Sequence, residues 1–218
     1  MRSPGVSRRA GSCGIWRYAA RGLWFPRIGW PKRAQPSRRA ATGLARRYLA
    51  LHGPATLQDV AHFFGARIPQ ARAWLESLEA ESALVSVRCG DRRGLVALAE
   101  DIDDLTVRPP GGVRAWPPRL LPLWDTMLMG HAGKGWVAAD DAEKQQIWRR
   151  SAFVAAVVLD RGRAVATWSQ TVKRRRLEVC VEPLGRWRAT RHAAAVGREA
   201  EALARHLDLA DVELSIAT

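Results

Sequence analysis

From about Thr42 the apolar residues fall into register: Leu44, Tyr48 and Leu51 recur at helical spacing with Arg47 among them, and His52-Gly53-Pro54 ends the run. A second helix is predicted after Thr56, whose hydroxyl is placed to cap it with Asp59 at the third position in place of the commoner Glu. Val60, Phe63 and Phe64 are its expected inward face, and Gly65 its end. Pro69 suits the first turn of a third helix, with Ala71, Trp74, Leu75 and Leu78 as the apolar stripe and Gln70, Arg72, Glu76 and Glu79 outside it. The runs Leu84 to Arg88 and Leu95 to Leu98 flank the turn Cys89 to Gly94 and predict a β-hairpin.

Three helices followed by a hairpin is the element order of a winged helix, with the third helix in the recognition position and the hairpin as the wing. A small helical unit with a packing hairpin has the same order. Residues 101 to 119 open with Asp101, Asp103 and Asp104 and continue through Pro109-Pro110-Gly111-Gly112 to Pro117-Pro118, the composition of a linker. Beyond it, Phe153 to Leu159 and Ala164 to Trp168 predict a second hairpin around Arg161-Gly162-Arg163. Lys173 to Arg176 form a basic turn before the strand Leu177 to Val181. A helix over about 189–206, with Val196, Ala200, Leu203 and Leu207 on one face, and a strand over 212–216 complete the pattern. The fold class is therefore α+β: a winged helix module over 41–100, a linker over 101–119, and a small β-rich domain over 120–218, read as a small barrel with one covering helix.

The charge alters this picture at one end. The 218 residues carry a formal charge of +14, but residues 1 to 40 hold ten Arg or Lys and no acid, and the rest is close to balanced. A basic arm attracts polyanions and releases their counterions. A high-GC coding sequence or a misplaced start codon yields the same arm without a role. Organelle targeting is disfavoured, because Pro4, Gly11, Gly14, Pro26 and Pro31 interrupt any long amphipathic helix. Cys13, Cys89 and Cys180 lie far apart with no CxxC pair, so neither a disulfide framework nor a zinc site is expected. No apolar run approaches the ~18 residues of a spanning helix. These features together predict a cytoplasmic protein with no membrane partner.

Little else suggests chemistry. His52, His62, His131, His192 and His206 have no metal-ligand spacing, and neither a phosphate-binding Gly-Lys loop nor GxSxG occurs, so no metal and no cofactor is expected. Asp140, Asp141 and Glu143 read as a solvated helix start. The tryptophans, Trp116, Trp124, Trp136, Trp148 and Trp168 among them, are either base-stacking groups or core anchors, and the second reading is preferred. The candidates for binding duplex DNA are Arg46 and Arg47 on the first helix, Gln70 and Arg72 near the start of the third, Arg92 and Arg93 at the wing, and Lys173, Arg174, Arg175 and Arg176. Four neutralised phosphates would give a slope of log K on log salt of roughly −3.6.

The segments Ala45-Arg46-Arg47-Tyr48-Leu49, His52 to Thr56, Leu120 to Asp125 with Gly130, and Val158 to Trp168 resemble the winged helix DNA-binding domain family that includes the AlkZ and YcaQ DNA glycosylases. The likeness runs over most of residues 42 to 210. It implies tandem winged helix modules closed by a β domain, of which this chain would supply the later part, with Arg21 to Phe25 as the wing of a preceding module. It also implies a catalytic Gln-x-Gln or Gln-x-Asp pair, which occurs nowhere in the 218 residues, so no catalytic residue is assigned and enzyme activity stays open. Three readings follow: a DNA-binding protein catalytically incomplete as written, a piece of a DNA glycosylase for alkylated or crosslinked bases, and a transcriptional regulator.

Overall fold

A computed structural model describes residues 37–138, 140–185, 187, 188 and 191–217, all within the unit Pro36–Thr218. The basic arm, save its last four residues, and the wing-like segment at Arg21 to Phe25 lie outside the described residues.

Helix α1 (Arg38–His52) begins at Ser37, whose hydroxyl accepts the Ala40 amide at 3.2 Å. Strand β1 (Ala55–Thr56) leads into α2 (Leu57–Phe64). Here Thr56 and Asp59 form the expected capping box, and Gly65 closes the helix with φ 58°, a left-handed turn that suits glycine. Helix α3 (Ile68–Ala80) has Pro69 in its first turn. Strands β2 (Leu84–Cys89) and β3 (Arg92–Leu98) form the wing, joined by Gly90-Asp91. The turn is shorter than the sequence suggests, since Cys89 already faces Arg92 and Arg92 to Gly94 belong to β3. The sheet order β1-β3-β2 under three helices is the winged helix arrangement.

The phase of α1 departs from expectation. Leu44 and Leu51 are 44% and 79% exposed, whereas Ala41, Ala45, Tyr48 and Leu49 are buried. Small side chains on the inner face let α1 pack closely on its neighbours. That core is completed by Val60, Ala61, Ala71, Leu78 and Leu98. Phe63, expected inside, is 39% exposed and lies against Tyr48 and Phe64.

Residues 101 to 119, expected as a linker, carry short helical turns. A 3-10 turn at Ala99–Asp101 runs into α4 (Ile102–Thr106), and α5 (Gly112–Ala115) precedes a buried Pro118. Next come β4 (Arg119–Leu121), α6 (Thr126–Met129), α7 (Asp141–Ile147), β5 (Val157–Asp160), β6 (Arg163–Lys173), β7 (Arg176–Pro183), α8 (Ala193–His206) and β8 (Asp211–Ile216). The strands form an open sheet in the order β4-β5-β6-β7-β8, in which β4 and β8 are edges; it does not close into the expected barrel. Only β7 and β8 are parallel, as the α8 crossover requires.

The sheet is covered on both faces. Val158, Ala166, Leu177, Val179 and Val181 pack on Val196, Ala200 and Ala204 of α8. Val157, Ala164 and Leu184 pack on Leu128, Val137, Ala138 and Ile147. Trp136 and Trp148 lean on the second of these cores and Trp168 on the first, so these three act as anchors. Leu207 is 39% exposed, because α8 ends before it. Strand β6 outruns β5: beyond Trp168 it pairs only with β7, and residues 169–173 are exposed.

Candidate nucleic-acid interface

The winged helix and the β-rich domain meet at a polar seam built from segments that carried the family resemblance. The Tyr48 hydroxyl donates to the Gly130 carbonyl at 2.7 Å, and the Ala132 amide donates to Asp59 Oδ1 at 2.9 Å. Asp59 is 2% exposed; its Oδ2 accepts the Thr56 amide at 2.8 Å and the Thr56 hydroxyl at 2.7 Å. Burial works to raise the Asp59 pKa, but the hydrogen bonds from Thr56 and Ala132 outweigh it and hold the carboxyl below its ordinary value. Burial raises the Tyr48 hydroxyl well above its usual pKa, and the Asp59 charge adds to the effect. His131, buried beside Asp59, and the half-buried His52 are both held below the ordinary imidazole value, chiefly by burial. A cavity of about 190 Å³ opens here, lined by His52, Pro54, Arg92, Met127, His131 and Trp136.

The geometry sorts the expected DNA contacts into committed and uncommitted groups. Arg46 bridges α1 to Glu81 at 3.1 Å and to Glu100 at 3.7 Å. Gln70 caps its own helix, its Oε1 accepting the Arg67 amide at 3.0 Å. Arg92 turns away from the wing tip to within 4.0 Å of Asp59. Lys173 pairs with Glu178 at 2.7 Å and Arg176 with Glu213 at 3.1 Å. Among the described residues Arg47, Arg72, Arg93, Arg174 and Arg175 are exposed and make no ion pair.

These five are not equivalent. Arg72 shares an open groove of about 310 Å³ with Glu76 and Glu79, whose carboxylates oppose a phosphate. The third helix, expected in the recognition position, is thus poorly charged for DNA. Arg47 stands on α1 and Arg93 on the wing, each beside a candidate, Arg46 or Arg92, that is already ion-paired. Arg174 and Arg175 form the tip of the β6–β7 hairpin, at an open groove of about 620 Å³ shared with Lys173, Arg176, Glu178 and Asp211. Arg174 has φ 55°, where glycine is cheaper by ~1–2 kcal/mol. Charge is retained at a position that local conformation alone would give to Gly or Asn.

Asp140, Asp141 and Glu143 behave as a helix start: Asp140 Oδ1 accepts the Glu143 amide at 2.9 Å, and Asp141 pairs with Lys144 at 2.8 Å. The role of Asp59 beyond the capping box had no sequence signal, because its second partner is Ala132. Trp124, read with the other tryptophans as a base-stacking group or a core anchor with the core preferred, is half exposed.

Three helices, a wing and the β1-β3-β2 order, joined to a covered five-stranded sheet, define a winged helix protein with a β-rich C-terminal domain. Within that class the chain belongs to the AlkZ-like DNA glycosylase family, described as "DNA glycosylase AlkZ-like", whose family model matches residues 5–206. A curated relative, the interstrand DNA cross-link repair glycosylase of Streptomyces sahachiroi, is 27% identical over 143 residues, which are 64% of this chain and 36% of the relative. The solved structure of Streptomyces sahachiroi DNA glycosylase AlkZ matches the fold with a TM-score of 0.68 at 24% identity, over 86% of this chain and 48% of that one. The chain therefore spans less than half the length of these relatives. No helix among the described residues is long and apolar enough to cross a membrane.

Proposed function

We propose that this chain binds duplex DNA as the gripping part of a DNA glycosylase-like protein. A winged helix over 41–100 and a β-rich domain over 120–218, joined through 101–119, hold a basic hairpin against the phosphate backbone. The observation that carries this reading is the pair Arg174 and Arg175: two uncompensated cations at the tip of a hairpin whose outer strand is uncovered, one of them in a strained backbone conformation. Arg47 and Arg93 are additional phosphate contacts. Arg46, Gln70, Arg92, Lys173 and Arg176 support these contacts by holding the surrounding structure rather than by meeting DNA first.

The reading assigns no bond cleavage to these residues. Hydrolysis of the glycosidic bond of an alkylated purine, whose base is already a cationic leaving group, needs a positioned water and groups that stabilise positive charge developing on the sugar. The Gln-x-Gln or Gln-x-Asp pair implied for that task by the family resemblance is absent from the sequence. The relatives' names, a DNA glycosylase and an interstrand cross-link repair glycosylase, favour crosslinked DNA as the substrate class of any enzyme this chain serves.

The test is binding of the chain to a fluorescent duplex across a salt series, beside a variant carrying Arg174→Ala and Arg175→Ala. We expect a negative slope of log K on log salt that becomes shallower by about 1.8 in the variant, or ~0.9 per lost phosphate contact. An unchanged slope and affinity in a folded variant would remove the hairpin from the interface.

A further inference from the structure

Trp124 is 50% exposed and follows Leu123, which is 44% exposed, while Trp136, Trp148, Trp168 and Trp187 pack against the cores. Its backbone lies in the left-handed region at φ 54°, where a bulky L-residue is strained. The position is nonetheless held firmly. The Trp124 amide donates to the Val154 carbonyl at 3.2 Å, the indole Nε1–H donates to the Ala152 carbonyl at 3.0 Å, and the ring meets Phe153 edge to face at 5.6 Å. The loop that receives these contacts carries two consecutive left-handed residues, Ser151 at 61° and Ala152 at 56°. Strain is thus accepted on both sides of one contact, and the indole still stays half in water. Burial does not account for that outcome.

The surroundings indicate what the ring is for. The indole's one polar atom is already satisfied by Ala152, so Trp124 offers a ligand π surface and no hydrogen bond. The Arg149 guanidinium lies 5.5 Å from the centre of the Phe153 ring, Arg150 is exposed beside it, and neither makes an ion pair among the described residues. The neighbouring Asp125 is engaged in capping α6, its Oδ1 accepting the Met127 amide at 2.8 Å. A rigid aromatic face that adjoins Phe153, with the Arg149 guanidinium over that ring and its Nε donating to the Gln146 carbonyl at 3.0 Å, and with exposed Arg150 next along the loop, matches an unstacked base and its flanking phosphates. An apolar protein partner would leave both guanidinium groups to be desolvated without compensation.

We propose that Trp124 is a stacking platform for an unpaired base in DNA, with Arg149 and Arg150 meeting the adjacent phosphates. The proposal rests on the DNA-binding reading above and adds to it a means of telling unpaired from paired DNA. Stacking on one aromatic ring is tolerant of base identity, because every base has a π face.

Two otherwise identical duplexes test it, one fully paired and one carrying 2-aminopurine opposite an abasic position. Kd is measured by anisotropy and stacking by quenching of the 2-aminopurine. Trp124→Gly removes the ring at a backbone position that suits glycine, Trp124→Phe keeps a π face, and thermal unfolding checks that both variants fold. The wild-type chain is expected to quench the probe and to bind the abasic duplex about tenfold more tightly than the paired one, in the range of one aromatic stack. Trp124→Gly should lose the preference and the quenching while its paired-duplex Kd is unchanged, and Trp124→Phe should keep most of both. A preference that survives in folded Trp124→Gly, a wild-type chain with no preference, or an equal loss on both duplexes overturns the stacking role and leaves duplex binding standing. Failure to bind either duplex overturns both readings.

Discussion

The Ala132 amide donates to the buried Asp59 carboxylate at 2.9 Å, and this bond ties the second helix of the winged helix to a loop of the β-rich domain. One carboxylate therefore closes a helix cap and fastens a seam. Asp59→Ala leaves the Thr56 and Ala132 amides without their acceptor, and we expect a loss of about 2–4 kcal/mol in urea unfolding. Tyr48→Phe, which removes the hydroxyl bonded to Gly130, should cost about 1 kcal/mol. If Asp59→Ala costs no more than Tyr48→Phe, the carboxylate does not hold the seam.

Gly130 faces the His52 ring so closely that an added Cβ would lie 2.5 Å from His52 Nδ1. The imidazole does not retreat without disturbing its neighbours, because it packs against both Tyr48 and Phe63 and meets His131 edge to face. Gly130→Ala is expected to lower stability by about 1–3 kcal/mol through overpacking. Combined with His52→Ala, which opens the space, the loss should be less than the sum of the two single losses. Additive losses would show that the two residues do not compete for the same volume.

The same seam predicts acid sensitivity. His52 and His131 are held below their ordinary value of about 6.5 by burial, so the unfolded chain binds protons that the folded chain resists. Their stabilising contribution is complete above pH ~6.5 and is lost as the pH falls below it. The depressed carboxyl of Asp59 acts in the same direction, but only as the pH nears 3.8 and below. Thermal midpoints should be flat from about pH 8 to 7 and decline below about 6.5, and His131→Phe should flatten the upper part of that decline. A midpoint that rises between pH 6.5 and 5 in the wild type would reverse the assigned direction.

Much of the local structure was legible in the sequence, because its causes are local. Thr56 with Asp59, Gly65, Pro69 and the turns at Gly90 and Arg161-Gly162 depend on residues a few positions apart. The phase of α1 was misread at Leu44 and Leu51 because helical spacing fits more than one stripe, and the packing partner decides among them. The ion pairs within the charge clusters were not legible for a related reason. Arg46, Lys173 and Arg176 look free along the chain, yet Glu81, Glu178 and Glu213 reach them only after folding. Trp124 shared one reading, base-stacking group or core anchor with the core preferred, with the other tryptophans, and the exposure and left-handed backbone that set it apart arise only on folding.

Those ion pairs give a direct contrast for mutagenesis. Arg46→Ala removes a cation that Glu81 and Glu100 already neutralise, so the salt slope of DNA binding should change by less than about 0.5. Arg175→Ala removes an uncompensated one and should reduce the slope by about 0.9. Equal changes would mean that ion pairing within the protein does not govern which arginines meet phosphate.

The last strand, β8, contains no basic residue, yet it lies beside β7 from Arg176 to Val181 and braces one side of the basic hairpin. The β6–β7 ribbon can form early around its own short turn, but two strands alone are marginal in water. Its partner reaches it only after α8 has docked and the chain has crossed back, a non-local pairing that must first meet the entropy of loop closure. The hairpin should therefore stiffen late in folding, and the positioning of Arg174 and Arg175 is delegated to a strand that supplies no cation of its own.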